Sequence, residues 1–119
     1  MFHGLLIKES FRDQSILNSL KIIKEETWDI DDASPGQPKV WNVAWFEIAD
    51  EVIDQTVEKL SQSLDDGKWF LEVSSDHLMY IIYKDKVFKY QKGYLAGRKL
   101  AEDYGRSLGI PEEQLDWKE

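Results

Sequence analysis

The spacing of hydrophobic positions changes along the chain, and these changes mark the predicted elements. Short apolar runs and alternating patterns predict six strands, at residues 4–8, 26–30, 40–48, 69–73, 78–83 and 87–90. The segment 40–48 carries β-branched and aromatic side chains on both faces, which is typical of an inner strand or of one contacted by a partner. Residues 31–39 contain Pro35 and Pro38, which cannot donate a backbone hydrogen bond to a neighbouring strand, so a loop is predicted there.

Helical spacing of apolar residues predicts three helices. We expect the first to begin at Asp13 or Ser10, the second to be capped by Asp50, and the third to span about 94–108. Their apolar stripes comprise Ile16, Leu17, Leu20 and Ile23 in the first helix, Ile53, Val57, Leu60 and Leu64 in the second, and Tyr94, Gly97, Ala101, Tyr104 and Leu108 in the third. The tail, residues 112–119, is expected to add one further helical turn.

Glycine placement predicts where helices end and where one of them approaches its neighbour. The glycine-containing segments 65–67 and 109–111 are expected to stop the second and third helices, because glycine adopts the left-handed conformation that follows a helix end. Within the third helix, Gly97, Ala101 and Gly105 form a strip of small residues at four-residue spacing. We expect this strip to touch the sheet or a second copy of the chain.

The order of these elements predicts a single α+β domain over residues 1–119. We expect a ferredoxin-like β-α-β-β-α-β sandwich with an added C-terminal β-meander and a third helix, built on a largely antiparallel sheet. The two crossover helices are then expected on one face of the sheet. The opposite face must be covered by the third helix, covered by a second subunit, or left open to a ligand.

Composition narrows the class of protein. A chain of 119 residues fits one domain with its own core, since domains of about 100–150 residues are common. The absence of cysteine excludes disulfides and thiolate sites, and it suits a cytoplasmic protein. We expect neither a secretory signal nor a membrane span, because no apolar run approaches about 20 residues. A net charge of −8 argues against a nucleic-acid partner, since such binding depends on cationic contacts to phosphate.

Tryptophans mark the most distinctive surface of the predicted sheet. Four of the five fall on segments predicted as strands, namely Trp28, Trp41, Trp45 and Trp69. Trp41 and Trp45 share one side of the third strand, while Ala44 and Phe46 share the other, where they suit packing under helices. A face with two tryptophans is an apolar patch, and such patches seldom stay uncovered. Three alternatives follow: core beneath the third helix or the tail with Trp117, a homodimer interface, or a ligand pocket.

Further candidate contacts lie outside the third strand. Residues 86–92 alternate lysines with aromatic and apolar side chains, and Phe88 and Tyr90 share a face with two of the lysines. This pattern suits stacking of a planar ligand beside cations. It also suits an edge strand, where lysines discourage unwanted pairing. In the 31–39 loop, Pro35 and Gln37 are candidate contacts for a partner.

Catalytic chemistry has three candidates. His77 follows Asp76 in a predicted turn, where a carboxylate can orient an imidazole as a general base. His3, near the start of the first strand, is the third. The spacings typical of zinc proteases, EF-hands, phosphate loops, dinucleotide sites and nucleophile elbows do not occur, so neither a metal nor a cofactor is predicted.

Two hypotheses about function result. The favoured one is a non-enzymatic binding or assembly module that engages a protein partner or a small molecule through the aromatic sheet face or the 31–39 loop, with a homodimer as one form of assembly. The alternative is a small enzyme with its site near Asp76 and His77. The two differ in whether replacement of Trp41 or replacement of His77 abolishes function.

Overall fold

The computed structural model describes residues 1–31, 37–66 and 68–119. Within these ranges the strands are β1 (Phe2–Ile7), β2 (Lys21–Asp29), β3 (Val40–Ile48), β4 (Phe70–Ser74), β5 (Leu78–Tyr83) and β6 (Lys86–Gln91). The α-helices are α1 (Ile53–Ser63) and α2 (Leu95–Ser107), and 3₁₀ turns lie at Lys8–Ser10, Gln14–Ser19, Asp50–Val52 and Glu112–Gln114. Neither α-helix of the described ranges has the length and apolarity that crossing a membrane requires.

All six strands belong to one antiparallel sheet in the order β2-β3-β1-β4-β5-β6. The mixed helix-and-sheet class is therefore confirmed, as are the largely antiparallel sheet and the C-terminal meander β4-β5-β6. Lys84 and Asp85 form the tight turn between β5 and β6, and Asp85 adopts a φ of 59° there. Aspartate tolerates this left-handed conformation better than most residues because its short polar side chain bonds locally.

The first predicted helix is wrong. Ile16 and Leu17 pack into the core from the 3₁₀ turn at Gln14–Ser19, whereas Ile23 is exposed in β2, which the backbone enters at Lys21. This strand pairs with β3 from Lys21 to Asp29 and so starts well before the predicted strand. Ile22 and Ile23 are β-branched, which favours the extended conformation. Pairing along the whole of β3 therefore outweighs the helical spacing of the apolar residues.

α1 lies where the apolar spacing predicts it, but both of its ends differ from the prediction. Asp50 begins a 3₁₀ turn, and Val52 occupies the cap position without a side-chain hydrogen bond, so the predicted Asp50 cap is wrong. The helix ends at Ser63, and Leu64 already has extended backbone and forms an isolated antiparallel bridge with Phe11. The predicted stop at Gly67 lies outside the described residues.

α2 approaches the sheet through its strip of small residues. A Cβ placed on Gly97 would lie 2.6 Å from the Cβ of Tyr90, and one on Gly105 would lie 2.7 Å from the hydroxyl of Tyr83. Between them, Tyr83 donates a 2.6 Å hydrogen bond to the carbonyl of Ala101. The expectation that this strip touches the sheet is confirmed, because only small residues permit this separation.

Two hydrophobic clusters lie on opposite faces of the sheet. The first packs α1 and the 3₁₀ turn at Gln14–Ser19 on the face that carries Leu6, Phe46 and Val73. The second joins β4, β5 and β6 to α2 and to the tail, whose Leu115 and Trp117 are buried. The sheet is therefore covered on both faces over β4–β6. The strand residues of the second cluster do not extend to β1–β3.

Candidate functional site

The C-terminal elements border one half of a sheet face without enclosing it. On the face opposite α1, the strand residues of the second cluster come from β4, β5 and β6. The other half of that face, over β1, β3 and β2, carries Leu5, Trp28, Trp41 and Trp45, all half-buried. Leu5 pairs with Trp45, and Trp28 pairs with Trp41, so these side chains are neighbours across the ladder. The result is an apolar surface beside the tail.

A cavity of about 280 Å³ opens where this surface meets the tail. Its lining comprises Leu5, Ile7, Trp28, Trp41, Lys68, Trp69, Phe70, Leu71, Glu72, Gln114, Asp116 and Trp117. Most of these residues are apolar or aromatic, and the polar ones are few, which is the composition usual for small-molecule sites of about 300–1,000 Å³. Four of the five tryptophans of the chain take part.

Ring contacts hold the tryptophans of the cavity in place. Trp41 packs against Trp69 with 5.5 Å between ring centroids. Trp28 meets Trp45 edge to face at 6.0 Å. Aromatic pairs of this kind contribute about 0.5–1.5 kcal/mol beyond the area that they bury. The rings are therefore fixed by the protein before any ligand arrives.

Hydrogen bonds within the protein engage three of the indole donors. Trp28 donates to the Glu26 carboxylate (2.9 Å), Trp41 to the Pro38 carbonyl (2.8 Å) and Trp117 to the Tyr90 hydroxyl (2.8 Å). The hydrogen bonds from Lys24 and from Trp28 hold the pKa of Glu26 below its usual range. With their N–H groups engaged, these rings offer a ligand their carbon surfaces and π faces.

Glu72 brings a half-buried carboxylate to the lining of the cavity. It pairs with Leu5 on β1 and Ile81 on β5, in the half of the sheet next to the tail. Its Oε2 atom is buried, and no donor among the described residues lies within hydrogen-bond distance of it. Burial raises the pKa of the Glu72 carboxyl, against the opposing charges of Arg98 and Lys92. An unpaired buried acceptor costs about 1–3 kcal/mol, so this oxygen is a local cost to the fold.

Arg98 and Glu119 fasten the tail that forms one wall. The Arg98 guanidinium donates to the Trp117 carbonyl at 2.8 Å and lies 5.0 Å from the centroid of the Trp117 ring. Glu119 accepts hydrogen bonds from the Gly93 amide, the Tyr90 hydroxyl and Arg98. Burial opposes ionisation of Glu119, but these three donors outweigh it and hold the pKa below its usual range. The wall is thus secured by a charged network.

Trp41 and Trp45 of the third strand and Gln37 of the 31–39 loop, all predicted as contact residues, differ in their position relative to the cavity. Trp41 lines the cavity, and Gln37 borders it by donating a 2.8 Å hydrogen bond to the carbonyl of the lining residue Lys68. Trp45 lies on the same face but outside the lining, and the ammonium of Lys24 lies 4.7 Å from its ring centroid. Trp41 therefore lines the candidate site, Gln37 lies at its border through Lys68, and Trp45 lies outside it.

The other predicted contact residues lie elsewhere. Phe88 packs against Tyr83 and Tyr104 beneath α2, and Tyr90 is buried in the same cluster. Both rings serve the packing of α2 rather than the cavity. β6, which carries them, is an edge strand of the sheet. Pro35 lies outside the described residues.

The candidate catalytic residues lie apart from the cavity. His77 and Asp76 are exposed in the turn between β4 and β5. His3 pairs with Ser74, which places it near the same end of the sheet, and its Nδ1 is 3.5 Å from the Glu47 carboxylate. None of these candidates lines the cavity. In the part of the chain that the structure describes, no group of three or more His, Asp or Glu residues is arranged to hold a metal ion.

Sequence reasoning missed Glu72, Trp69 and Trp117 as site residues. A signal for Glu72 exists, because it is the acidic residue in the otherwise apolar run 69–73 and alternation turns it away from Leu71. The contribution of Trp117 has no local signal, since the tail reaches the cavity only through tertiary packing.

Comparisons of the chain with protein-family models, with curated proteins and with solved structures found no match. The function is therefore argued from the geometry and chemistry of the cavity.

Proposed function

We propose that this chain is a non-enzymatic binding module whose ligand site is the cavity between the aromatic half of the sheet and the tail. The observation that carries the proposal is an aromatic cavity whose lining includes the half-buried Glu72. Apolar concave sites with a few polar groups are where proteins usually bind small molecules. The ring contacts and the engaged indole donors mean that little side-chain freedom is lost on binding.

Binding is favoured over the enzyme alternative by the position of the candidate catalytic residues. Asp76 and His77 are exposed in a turn, whereas the cavity lies beside Trp41 and Glu72. A general base has to lie within hydrogen-bond reach of its substrate. A ligand held against Trp41 therefore contacts the lining residues, which do not include Asp76 or His77.

We infer a ferredoxin-like arrangement for the first four strands. β3 lies between β1 and β2, and β1 lies between β3 and β4, so each crossover joins strands separated by one neighbour. This order supports two interleaved split β-α-β units. The first crossover departs from the pattern, since it contains 3₁₀ turns where an α-helix is usual.

A cytoplasmic location is proposed from the cysteine-free composition alone.

A homodimer through the aromatic face is the alternative to a monomer that binds a ligand. Native mass spectrometry of the freshly purified chain distinguishes the dimer from the monomer. The binding proposal predicts a monomer mass with or without a retained small molecule. A dimer mass that both Trp41→Leu and Trp45→Leu abolish would instead support the interface.

The direct test is a fragment screen by saturation-transfer NMR on the wild-type chain and two matched variants. Trp41→Leu removes a lining ring, whereas Tyr94→Leu removes an exposed aromatic ring outside the lining. Fragments that bind the wild type should lose their signal with Trp41→Leu and keep it with Tyr94→Leu, provided that circular dichroism shows both variants folded. Equal binding to Trp41→Leu and wild type would overturn the proposal.

A further inference from the structure

We propose that the cavity binds a small organic cation, an amine or a quaternary ammonium, with its charged head against the tryptophan rings and Glu72 as its counter-ion. This inference rests on the proposed binding function and names the class of ligand. It is carried by three observations in the same cavity: the π faces, the half-buried carboxylate and the charges around them.

Three of the four indoles of the lining favour a cation over an anion. Trp28, Trp41 and Trp117 have their N–H groups hydrogen-bonded within the protein, so they have no donor left for an anionic ligand. Their ring faces carry the negative side of the aromatic quadrupole, which attracts ammonium groups. A quaternary ammonium, which has no donor of its own, is held by this surface without hydrogen bonds.

Glu72 brings a carboxylate to the apolar lining, where burial opposes its ionised form and the charges of Arg98 and Lys92 favour it. Its Oε2 is removed from water and has no donor in the described part of the chain. A buried charge is tolerated when an opposite charge lies beside it. Asp116 adds a second acidic residue to the lining, while the side chain of Lys68 extends towards Gly109.

The protein already uses the same chemistry at the borders of the site. The Arg98 guanidinium lies over Trp117, and the Lys24 ammonium lies over Trp45, at 5.0 and 4.7 Å from the ring centroids. The whole chain carries a net charge of −8, which raises the local concentration of cations. The net negative charge favours a positively charged occupant, while the two ring contacts show only that indoles of this protein accept cations.

The dimensions of the cavity favour a free small molecule. Its volume of about 280 Å³ accepts a head group with a short substituent. The tail closes one side, so an extended peptide meets the wall formed by Asp116 and Trp117. We therefore commit to a free organic cation rather than to a lysine side chain of a partner protein.

The test compares choline with its uncharged isostere 3,3-dimethylbutan-1-ol, by chemical-shift titration of the ¹⁵N-labelled full chain. The two probes have the same shape, so their difference reports charge. Choline is expected to bind about tenfold more tightly than the isostere, as one cation–π contact with a counter-ion allows. Shifts should concentrate on the lining residues, and Trp41→Leu should abolish binding of both probes.

Variants of Glu72 isolate the counter-ion. Glu72→Gln keeps the shape of the side chain and should reduce choline affinity about tenfold while leaving the isostere unchanged. Glu72→Asp keeps the charge and should retain part of the choline preference. The comparison of the two probes on the wild type needs no variant, so it decides the question even if a variant fails to fold.

The outcomes separate this inference from the proposed function. Equal binding of choline and the isostere, both lost in Trp41→Leu, would overturn the cation and leave the aromatic binding site standing. Binding of a lysine-rich peptide but not of choline would overturn the free cation in favour of a protein partner. Absence of both probes from the cavity, with neutral or acidic fragments bound there instead, would overturn the inference while supporting the binding function.

Discussion

The indole of Trp117 donates a buried 2.8 Å hydrogen bond to the hydroxyl of Tyr90, which joins the tail to the edge strand β6. Tyr90 in turn donates to Glu119, and Glu119 pairs with Arg98 of α2. Phe70 meets the Trp117 ring edge to face with 5.6 Å between centroids. One wall of the cavity therefore depends on the ordering of a tail that is tied to three other elements.

Trp117→Leu is expected to loosen this wall. The variant loses the hydrogen bond to Tyr90 and the stacking of Arg98, so the free energy of unfolding should fall by about 1–3 kcal/mol. Hydrogen exchange in residues 110–119 should accelerate, as measured by mass spectrometry. Lys118→Ala, at an exposed neighbour, should change the free energy of unfolding by less than about 0.5 kcal/mol. Unchanged protection of the tail in Trp117→Leu would contradict this account.

Gly97→Ala is expected to destabilise the fold although alanine is the better helix former. Its Cβ would lie 2.6 Å from the Cβ of Tyr90, which is attached directly to the strand backbone and cannot rotate away. Overpacking of this kind costs about 1–3 kcal/mol and exceeds the gain of about 1 kcal/mol in helix propensity. Chemical denaturation followed by circular dichroism measures the change.

Ala96→Gly provides the matched control for Gly97→Ala, since Ala96 is exposed in the same turn of α2. It should cost at most about 1 kcal/mol, from propensity alone. A stabilised Gly97→Ala would show that α2 can move away from β6, and the close packing described above would be wrong.

Glu72 is expected to make stability depend on pH. In the unfolded chain its carboxyl titrates near the ordinary value of 4.5, while burial raises the pKa in the native state. Between those two pKa values the native state binds more protons than the unfolded state, so this group makes the protein less stable as pH rises through the interval. Arg98 of α2 and Lys92 beyond β6 oppose the shift, and Asp116 of the tail adds a further negative charge to the same lining.

Glu72→Gln removes this titration. The free energy of unfolding of the variant minus that of the wild type should therefore increase as pH rises above 4.5 and level off above the native pKa. Urea denaturation at a series of pH values gives this difference. A difference that is flat with pH would contradict the raised pKa.

The sequence predicts the segments in which one local preference dominates. β3 and β5 begin and end where their β-branched and aromatic runs do, because flanking turn residues bound both runs. α2 is followed by Gly109 at a φ of 82°, as the stop signal indicates. The first helix fails because the apolar spacing before Lys21 serves equally well for a 3₁₀ turn, and the length of β3 decides between them.

The candidate site is only partly predictable from the sequence. Trp41 is identified by alternation along β3, which separates it from Ala44 and Phe46 under α1. The sequence does not show that Trp41 lines the cavity and Trp45 does not, because this difference depends on how far the tail extends across the sheet face. Glu72 and Trp117 come together across a separation of 45 residues, which no local pattern encodes.

The crowding of indoles around one cavity gives the protein its own optical reporter. Trp28, Trp41, Trp69 and Trp117 line the cavity. Trp45 lies outside the lining, with the Lys24 ammonium over its ring. Ultraviolet-excited emission therefore arises mainly from rings that an occupant would touch, so entry of a ligand should alter its intensity and wavelength. The same placement should make a soluble cationic quencher of this fluorescence more effective than an anionic one. The difference between the two quenchers reports the sign of the charge at the entrance of the cavity.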